Sequence, residues 1–295
     1  MRILITGAAG EFGRDLTPWL AQRFDVRATD LVPAHYPCEF VQADLREPEQ
    51  VRDLVEGIDA VIHLAVLLPK AFATGDFVDV NVKASTLLWE AAANAGVSRM
   101  VYISTVWATG HGQEEGYLPV DENAPCTPLE MYGLTKLQGE LSAEYFARMN
   151  GLSTLVLRMC GYVRCPEFAP DGSVDLAQAD LGTIAVSMLS PGGKLYNPND
   201  LGDLMVSAVT TPGIAFERVI AGNIVPWQPA DAAALATDPS PVIDRYYPGA
   251  ADLFADHGFA PLPIPFWYST EAAQRLLGLH NEYTLNDLIA AHRSR

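Results

Sequence analysis

Over residues 2–159 the sequence alternates two hydrophobic periods, and that alternation leaves few folds open to it. Continuous apolar, β-rich runs stand at residues 2–6, 26–30, 39–41, 60–64, 99–104 and 154–159. Between them lie longer stretches with apolar residues at helical spacing, at 11–23, 48–56, 77–95 and 131–149. Strand–helix alternation of this kind builds βαβ units around a parallel sheet, and uninterrupted apolar strands suit a sheet covered on both faces. The expected class is α/β, a doubly wound parallel sheet over residues 1–160. After about Cys160 the rhythm breaks. Pro and Gly crowd 163–172, 190–200 and 226–241, with short helical patterns at 181–189, 201–210, 270–277 and 284–291 and a strand-like run at 216–221. Residues 161–295 are expected to form a smaller substrate-binding region, with some elements returning to the main sheet.

A net charge of −17 argues against a nucleic-acid partner or an anionic membrane surface, both of which need clustered Lys and Arg. No apolar run is long enough to span a bilayer. The chain enters its first strand at once, leaving no room for a signal peptide, so the expected location is cytoplasmic. Cys38, Cys126, Cys160 and Cys165 form no CxxC pair or Cys/His cluster, and reduced thiols rather than a metal site are expected.

The first strand runs into Thr6-Gly7-Ala8-Ala9-Gly10-Glu11-Phe12-Gly13 and then a helix. Glycines at this spacing allow a tight turn, close approach of backbone to a pyrophosphate and close helix–strand packing, while the helix N-terminus offers N–H groups to the phosphates. Asp30 closes the second strand. A carboxylate there can accept from the adenosine ribose hydroxyls and repel a 2′-phosphate, which favours NAD; alternatively it is a strand-end turn residue. Asp44-Leu45 can stand beside the adenine, or Asp44 can cap the helix that starts near Pro48. Leu64-Ala65 ends the fourth strand with a small residue that lets a cofactor approach, and His63 reads as a satisfied buried histidine.

Tyr132 and Lys136, four apart, share one helix face, so the ammonium can depress the phenol from its ordinary pKa of about 10 toward the range of a working base. Thr105, or as second choice Ser104, ends a strand of the same sheet where parallel sheets bind ligands, and its hydroxyl can hold a substrate oxygen against Tyr132. The alternative is that both hydroxyls only satisfy backbone groups.

These residues resemble the extended short-chain dehydrogenase/reductases, the NAD-dependent epimerase/dehydratase family, over nearly the whole chain and most specifically in its first half. TGxxGxxG matches Gly7, Gly10 and Gly13, and YxxxK matches Tyr132 and Lys136. Asn81-Val82-Lys83 with 87–92, the Asp121–Pro125 lead-in and the 284–289 helix look like further family features. The resemblance implies a Rossmann-type fold with bound NAD and a small-molecule substrate. It also implies a Thr105–Tyr132–Lys136 triad, with Lys136 on the nicotinamide ribose and Asn81 supporting the active-site helix or a relay water. A homodimer through the helices of 77–95 and 131–149 is implied too. Leu87, Leu88, Trp89, Leu137, Leu141 and Tyr145 can supply that face, or a core-facing stripe.

Two departures narrow the substrate. Gly161 stands where nucleotide-sugar members carry Asn, and Val106 follows Thr105 where dehydratases carry acids. A dehydrogenase acting on a non-nucleotide sugar, sugar acid or polyol leads, with partial similarity to uronate dehydrogenases and with Arg164 the nearest candidate for a substrate carboxylate. The alternatives are an NAD-retaining epimerase and a non-catalytic NAD-binding sensor. Trp107, His111, Tyr162, Trp227 and Trp267 can line the substrate pocket, or simply pack.

Overall fold

The structure is a computed structural model that describes residues 1–69, 73–110, 117–189 and 193–295. His111 lies outside the described residues. The chain divides into two compact units, one formed by Met1–Gly110, Pro125–Arg158 and Leu204–Val219, the other by His111–Ala124, Met159–Asp203 and Ile220–Arg295.

The first unit is built on a sheet of strands β1 (Arg2–Thr6), β2 (Asp25–Asp30), β3 (Glu39–Gln42), β4 (Ala60–His63), β5 (Arg99–Thr105), β6 (Ser153–Met159) and β7 (Phe216–Ala221), in the order β3-β2-β1-β4-β5-β6-β7. The registers β1–β2, β1–β4, β2–β3 and β4–β5 are all parallel. Thr154 N donates to Ala215 O and Cys160 N to Ala221 O, so the last two strands also advance together. Helices α1 (Glu11–Ala21), α2 (Pro48–Val55), α3 (Thr74–Phe77), α4 (Ala84–Ala95) and α5 (Met131–Asn150) make the crossovers. This is the doubly wound Rossmann-type sheet expected, and its order reverses between β1 and β4, where such sheets open a ligand crevice.

Periodicity explains how the helices seat. Val51, Leu54 and Val55 of α2 and Leu88, Trp89 and Ala92 of α4 bury against Leu4, Val61, Met100, Tyr102 and Val156 of the strands. Each such aliphatic side chain contributes about 1.5–3 kcal/mol on burial. The single helix expected over 77–95 is in three pieces. α3 leads into a π-helical turn, Val78–Lys83, before α4 begins. The cause is Asn81, whose Oδ1 accepts from Leu67 N at 2.7 Å and whose Nδ2 donates to Leu67 O at 3.2 Å and to Thr135 Oγ1 at 3.1 Å. Tertiary bonds of that kind widen a helix locally.

The second unit has its own core. Leu181, Ile184, Ala185 and Met188 of α6 (Leu181–Met188), spaced as one helix face, meet Tyr196, Trp227 and Trp267. α7 (Pro198–Thr210) starts in this unit, and its end belongs to the first. Helices α8 (Ala232–Leu235), α9 (Ser240–Tyr246), α10 (Ala250–Asp256), α11 (Glu271–Leu277) and α12 (Leu285–Ser294) follow. α8, α9 and α10 fall where the Pro-rich sequence reads as loop or gives no helical signal. Helices of four to seven residues are not stable by propensity, and these exist because Leu235, Val242, Ile243, Leu253 and Phe254 are buried in the common core.

Candidate active site

Three glycines shape the turn between β1 and α1, each for a different reason. Gly7 has φ +72, and a Cβ on it would lie 2.5 Å from Ala65 N. Leu64 and Ala65 extend β4 beyond His63, with Leu64 N donating to Thr6 O, so the small residue sits at the sheet's switch point. A Cβ on Gly13 would run into the Ala8 carbonyl. Gly10 is the N-cap of α1 and offers no capping side chain, and Glu11, exposed, and Phe12, half-buried, make the first turn. The loop's own carbonyls are occupied: Tyr36 Oη donates to Ala8 O at 2.6 Å and Arg14 Nε to Ala9 O at 2.9 Å. What the turn leaves open is a helix N-terminus lined by glycine, which fits a dinucleotide pyrophosphate.

Asp30 is tied to this loop, with Oδ2 accepting from Ala9 N at 2.9 Å and Oδ1 from Val32 N at 3.0 Å. It therefore presents a fixed negative charge at the end of β2. Replacing it with Asn keeps the shape and removes the charge. Dye-displacement titrations are expected to show the NAD-over-NADP preference of Asp30→Asn falling by about tenfold, from the loss of about 1 kcal/mol or more of repulsion. Asp44 does not cap α2. The N-cap is Glu47, and the Asp44 carboxylate instead takes both Nε and Nη2 of Arg46, which holds it below the usual carboxylate range. Leu45 is half-buried against the core.

At the carboxyl end of β5, Thr105 Oγ1 accepts from Trp107 N at 3.2 Å and is hydrogen-bonded to the Tyr132 phenol. The bond from Thr105 lowers the Tyr132 phenol against its burial. The Trp107 ring meets the Tyr132 ring edge-on at 5.8 Å, and Gly133 is required beside them because a Cβ would lie 2.5 Å from Trp107 O. Ser104 is engaged elsewhere: it is buried and donates to Glu140 Oε1 at 2.6 Å. His63 is bracketed by Thr6 Oγ1 at 2.7 Å and Ser85 Oγ at 2.8 Å, and burial holds it neutral down to about pH 3.

Burial dominates both members of the Tyr132–Lys136 pair. Burial pushes Tyr132 up to about 12, with Thr105 opposing, while burial pulls Lys136 down to about 7. The Lys136 ammonium is not turned to the phenol. It stands 4.0 Å over the ring of Tyr102. Glu140 was not anticipated either, although its position four residues beyond Lys136 places it on the same helix face. It is fully buried and accepts from Arg158 Nε and Nη2.

Of the three substrate candidates, Thr105 is in the first unit, and Gly161 and Arg164 lie in the second. Gly161 has φ +119, a conformation in which any side chain is strained, so the departure from Asn has a backbone cause. Arg164 is exposed. Within that unit Trp227 and Trp267 line a cavity together with Cys160, Asn223, Phe266 and Tyr268, and Tyr162 is buried in a bridge with Leu195.

A model of the NAD dependent epimerase/dehydratase family matches residues 3–163, more than half of the chain. The chain belongs to that family. Family membership carries its cofactor, NAD. Among curated relatives, a uronate dehydrogenase of Pseudomonas putida is 33% identical over 164 residues, 54% of this chain and 60% of that protein. An L-arabinose 1-dehydrogenase (NAD(P)(+)) of Haloferax volcanii is 30% identical over 205 residues, 65% of this chain and 78% of its own. The chain thus spans less than two thirds of the uronate dehydrogenase's length. A solved short-chain dehydrogenase/reductase superfamily protein of Agrobacterium tumefaciens with bound NAD covers 100% of this chain and 98% of its own, at TM-score 0.71 and 24% identity. That likeness confirms the fold of this family member. No helix among the described residues is long and apolar enough to cross a membrane.

Proposed function

We propose that this family member is an NAD-dependent dehydrogenase that interconverts a secondary hydroxyl and a carbonyl on a non-nucleotide sugar, sugar acid or polyol. The observation that carries the reading is the Thr105–Tyr132 hydroxyl pair at the carboxyl end of β5, with Lys136 one turn along α5. NAD, when bound, supplies the hydride acceptor. Gly7, Gly10, Glu11, Phe12 and Gly13 would hold its pyrophosphate, Asp30 the adenosine ribose, Asp44 and Leu45 the adenine, Leu64 and Ala65 the approach at the switch point, and Lys136 the nicotinamide ribose.

Tyr132 does the proton work. On oxidation its oxygen takes the hydroxyl proton of the substrate as the C–H electron pair leaves, and on reduction it returns that proton. Thr105 orients the substrate oxygen. Because burial, with Glu130 adding to it and Thr105 opposing, raises the phenol to about 12, a positive charge must come within reach of it before it can act as a base, and Lys136 is the cation on its helix face. Asn81 holds α5 through Thr135, which supports the catalytic helix.

The substrate class rests on two facts. Gly161 cannot be exchanged for the nucleotide-sugar Asn without strain, and two of the relatives are named for monosaccharide dehydrogenation. The test is NADH absorbance on mixing purified protein with NAD and a panel of free sugars, sugar acids and polyols. A rise with one class supports the dehydrogenase. No rise, with NAD co-purifying, sinks it and leaves the epimerase, a reading that the putative UDP-glucose 4-epimerase of Methanocaldococcus jannaschii, 30% identical over 167 residues, keeps in view.

A homodimer goes with this reading. Leu88 and Trp89 of α4 are fully buried in the core and cannot serve an interface. On α5, by contrast, Leu134, Leu141, Tyr145 and Met149 are exposed at helical spacing, an apolar stripe on a chain that is otherwise strongly acidic. The double variant Leu141→Glu/Tyr145→Glu is expected to sediment at half the mass of the parent; equal masses would remove the dimer from the proposal. Four free thiols suit a reducing, cytoplasmic compartment.

A further inference from the structure

The buried charges behind the triad form a set that the proton transfer itself does not use. Lys136 is 2% exposed, and its ammonium lies against the face of Tyr102. The Tyr102 hydroxyl is buried and has no hydrogen-bond partner among the described residues. Its ring is pressed onto α5, since a Cβ on Gly139 would fall on that hydroxyl. A buried hydroxyl with nothing to bond costs stability, so what this side chain offers its neighbours is its ring. One turn further along α5, Glu140 accepts from Ser104 of β5 and, bidentate, from Arg158 of β6, with Arg218 of β7 at 3.2 Å.

We infer that Tyr102 and Glu140 are positioning residues for Lys136: the Tyr102 ring seats its ammonium, and the Glu140 carboxylate, one turn along the same helix, is its buried counter-charge. This rests on the proposed function only in giving Lys136 a catalytic use. A cation over an aromatic face is held by the ring quadrupole, more strongly when desolvated, and the seat keeps the flexible lysine on the strand side of its helix. The groups around Lys136 are His63 from β4, Tyr102 from β5 and, on its own helix, Tyr132 and Glu140, with Arg158 behind Glu140. His63 is neutral, and the charge of Lys136 itself helps keep it so. Tyr132, raised by burial, is a neutral phenol. Glu140 is therefore the one anion in this set, and it raises Lys136 against the burial that lowers it. Converting it to a neutral amide also leaves Arg158 and Arg218 without their shared carboxylate, two cations that push the lysine further toward its neutral form.

The experiment follows the titration of the Lys136 amine by NMR in full-length protein labelled with nitrogen-15 lysine. The chain has four lysines, Lys70, Lys83, Lys136 and Lys194, so one Lys136→Met sample assigns the signal. In Glu140→Gln the midpoint of Lys136 is expected to fall by about one pH unit or more. Tyr102→Leu, which removes the ring, is expected to lower it in the same direction, and Tyr102→Phe, which restores the ring, to bring it back. In turnover assays the alkaline limb of the rate profile moves down with the same variants. An unchanged Lys136 midpoint in folded Glu140→Gln overturns the counter-charge, and a Tyr102→Phe shift as large as that of Tyr102→Leu overturns the seat. If Glu140→Gln fails to fold, the Tyr102 pair decides the seat and Ser104→Ala, which strips one donor from Glu140, tests the counter-charge by a smaller shift of Lys136, an unmoved midpoint counting against it. The titration needs no substrate, so a protein that shows these shifts yet reduces no NAD refutes the dehydrogenase and leaves this inference standing.

Discussion

Tyr132→Phe removes turnover by about 10²–10⁴-fold while leaving the affinity for NAD within a fewfold of the parent. The phenol is the group placed to exchange a proton with a substrate oxygen, since Thr105 is hydrogen-bonded to it and Ser104 is bound to Glu140. The ring stays in Phe, so its edge contact with Trp107 and the packing of α5 survive, and the variant loses chemistry rather than fold. Steady-state rates with the substrate found in the panel, beside NAD titrations by fluorescence quenching, make the measurement. A variant that keeps its rate would remove Tyr132 from the mechanism. One that loses rate and cofactor affinity together would mark the hydroxyl as a binding group instead. A non-catalytic sensor would show no difference in any assay.

Gly7→Ala is expected to abolish NAD binding and to destabilise the protein by about 2–5 kcal/mol. That figure adds about 1–2 kcal/mol for a side chain at φ +72 to about 1–3 kcal/mol for forcing a methyl group against the backbone of Ala65. Nothing flexible can yield there, because the atoms met are backbone atoms at the end of β4. Gly10→Ala is the comparison. Its added Cβ would lie 3.1 Å from Gly7 O at ordinary φ, a tight contact that is wider than those at Gly7, so its stability cost is the smaller of the two and its effect falls on the phosphate approach. Thermal unfolding and NAD titration of the two variants separate the roles. If Gly7→Ala unfolds no earlier than Gly10→Ala, the turn is not the strained element described here.

Much of this was legible because it is local. Alternation of periods placed the strands of the first unit to within a residue or two, and the spacing of Gly7, Gly10 and Gly13 between a strand and a helix named the turn before its geometry was known. Three features were not legible. The break in the helix at Asn81 depends on Leu67 and Thr135, far apart in sequence. Helices α8 to α10 exist only because a core assembled from distant segments covers them. The burial of Glu140 cannot be read from its own helix, since an exposed glutamate at the same position would have the same neighbours in sequence; Arg158, on the next strand, makes the difference.

By itself, then, the sequence determined the doubly wound sheet, the phosphate turn and the pairing of Tyr132 with Lys136 on one helix face. Each follows from periodicity or from spacing within one or two elements. Only the tertiary structure decided that Thr105 rather than Ser104 meets Tyr132, that Asp44 engages Arg46 instead of capping α2, and that Lys136 rests on Tyr102 with its charge set from behind by Glu140. The first and last of those outcomes turn on desolvation and on which groups meet once strands 39 and 57 residues apart are laid side by side, and no local pattern encodes a distance of that kind.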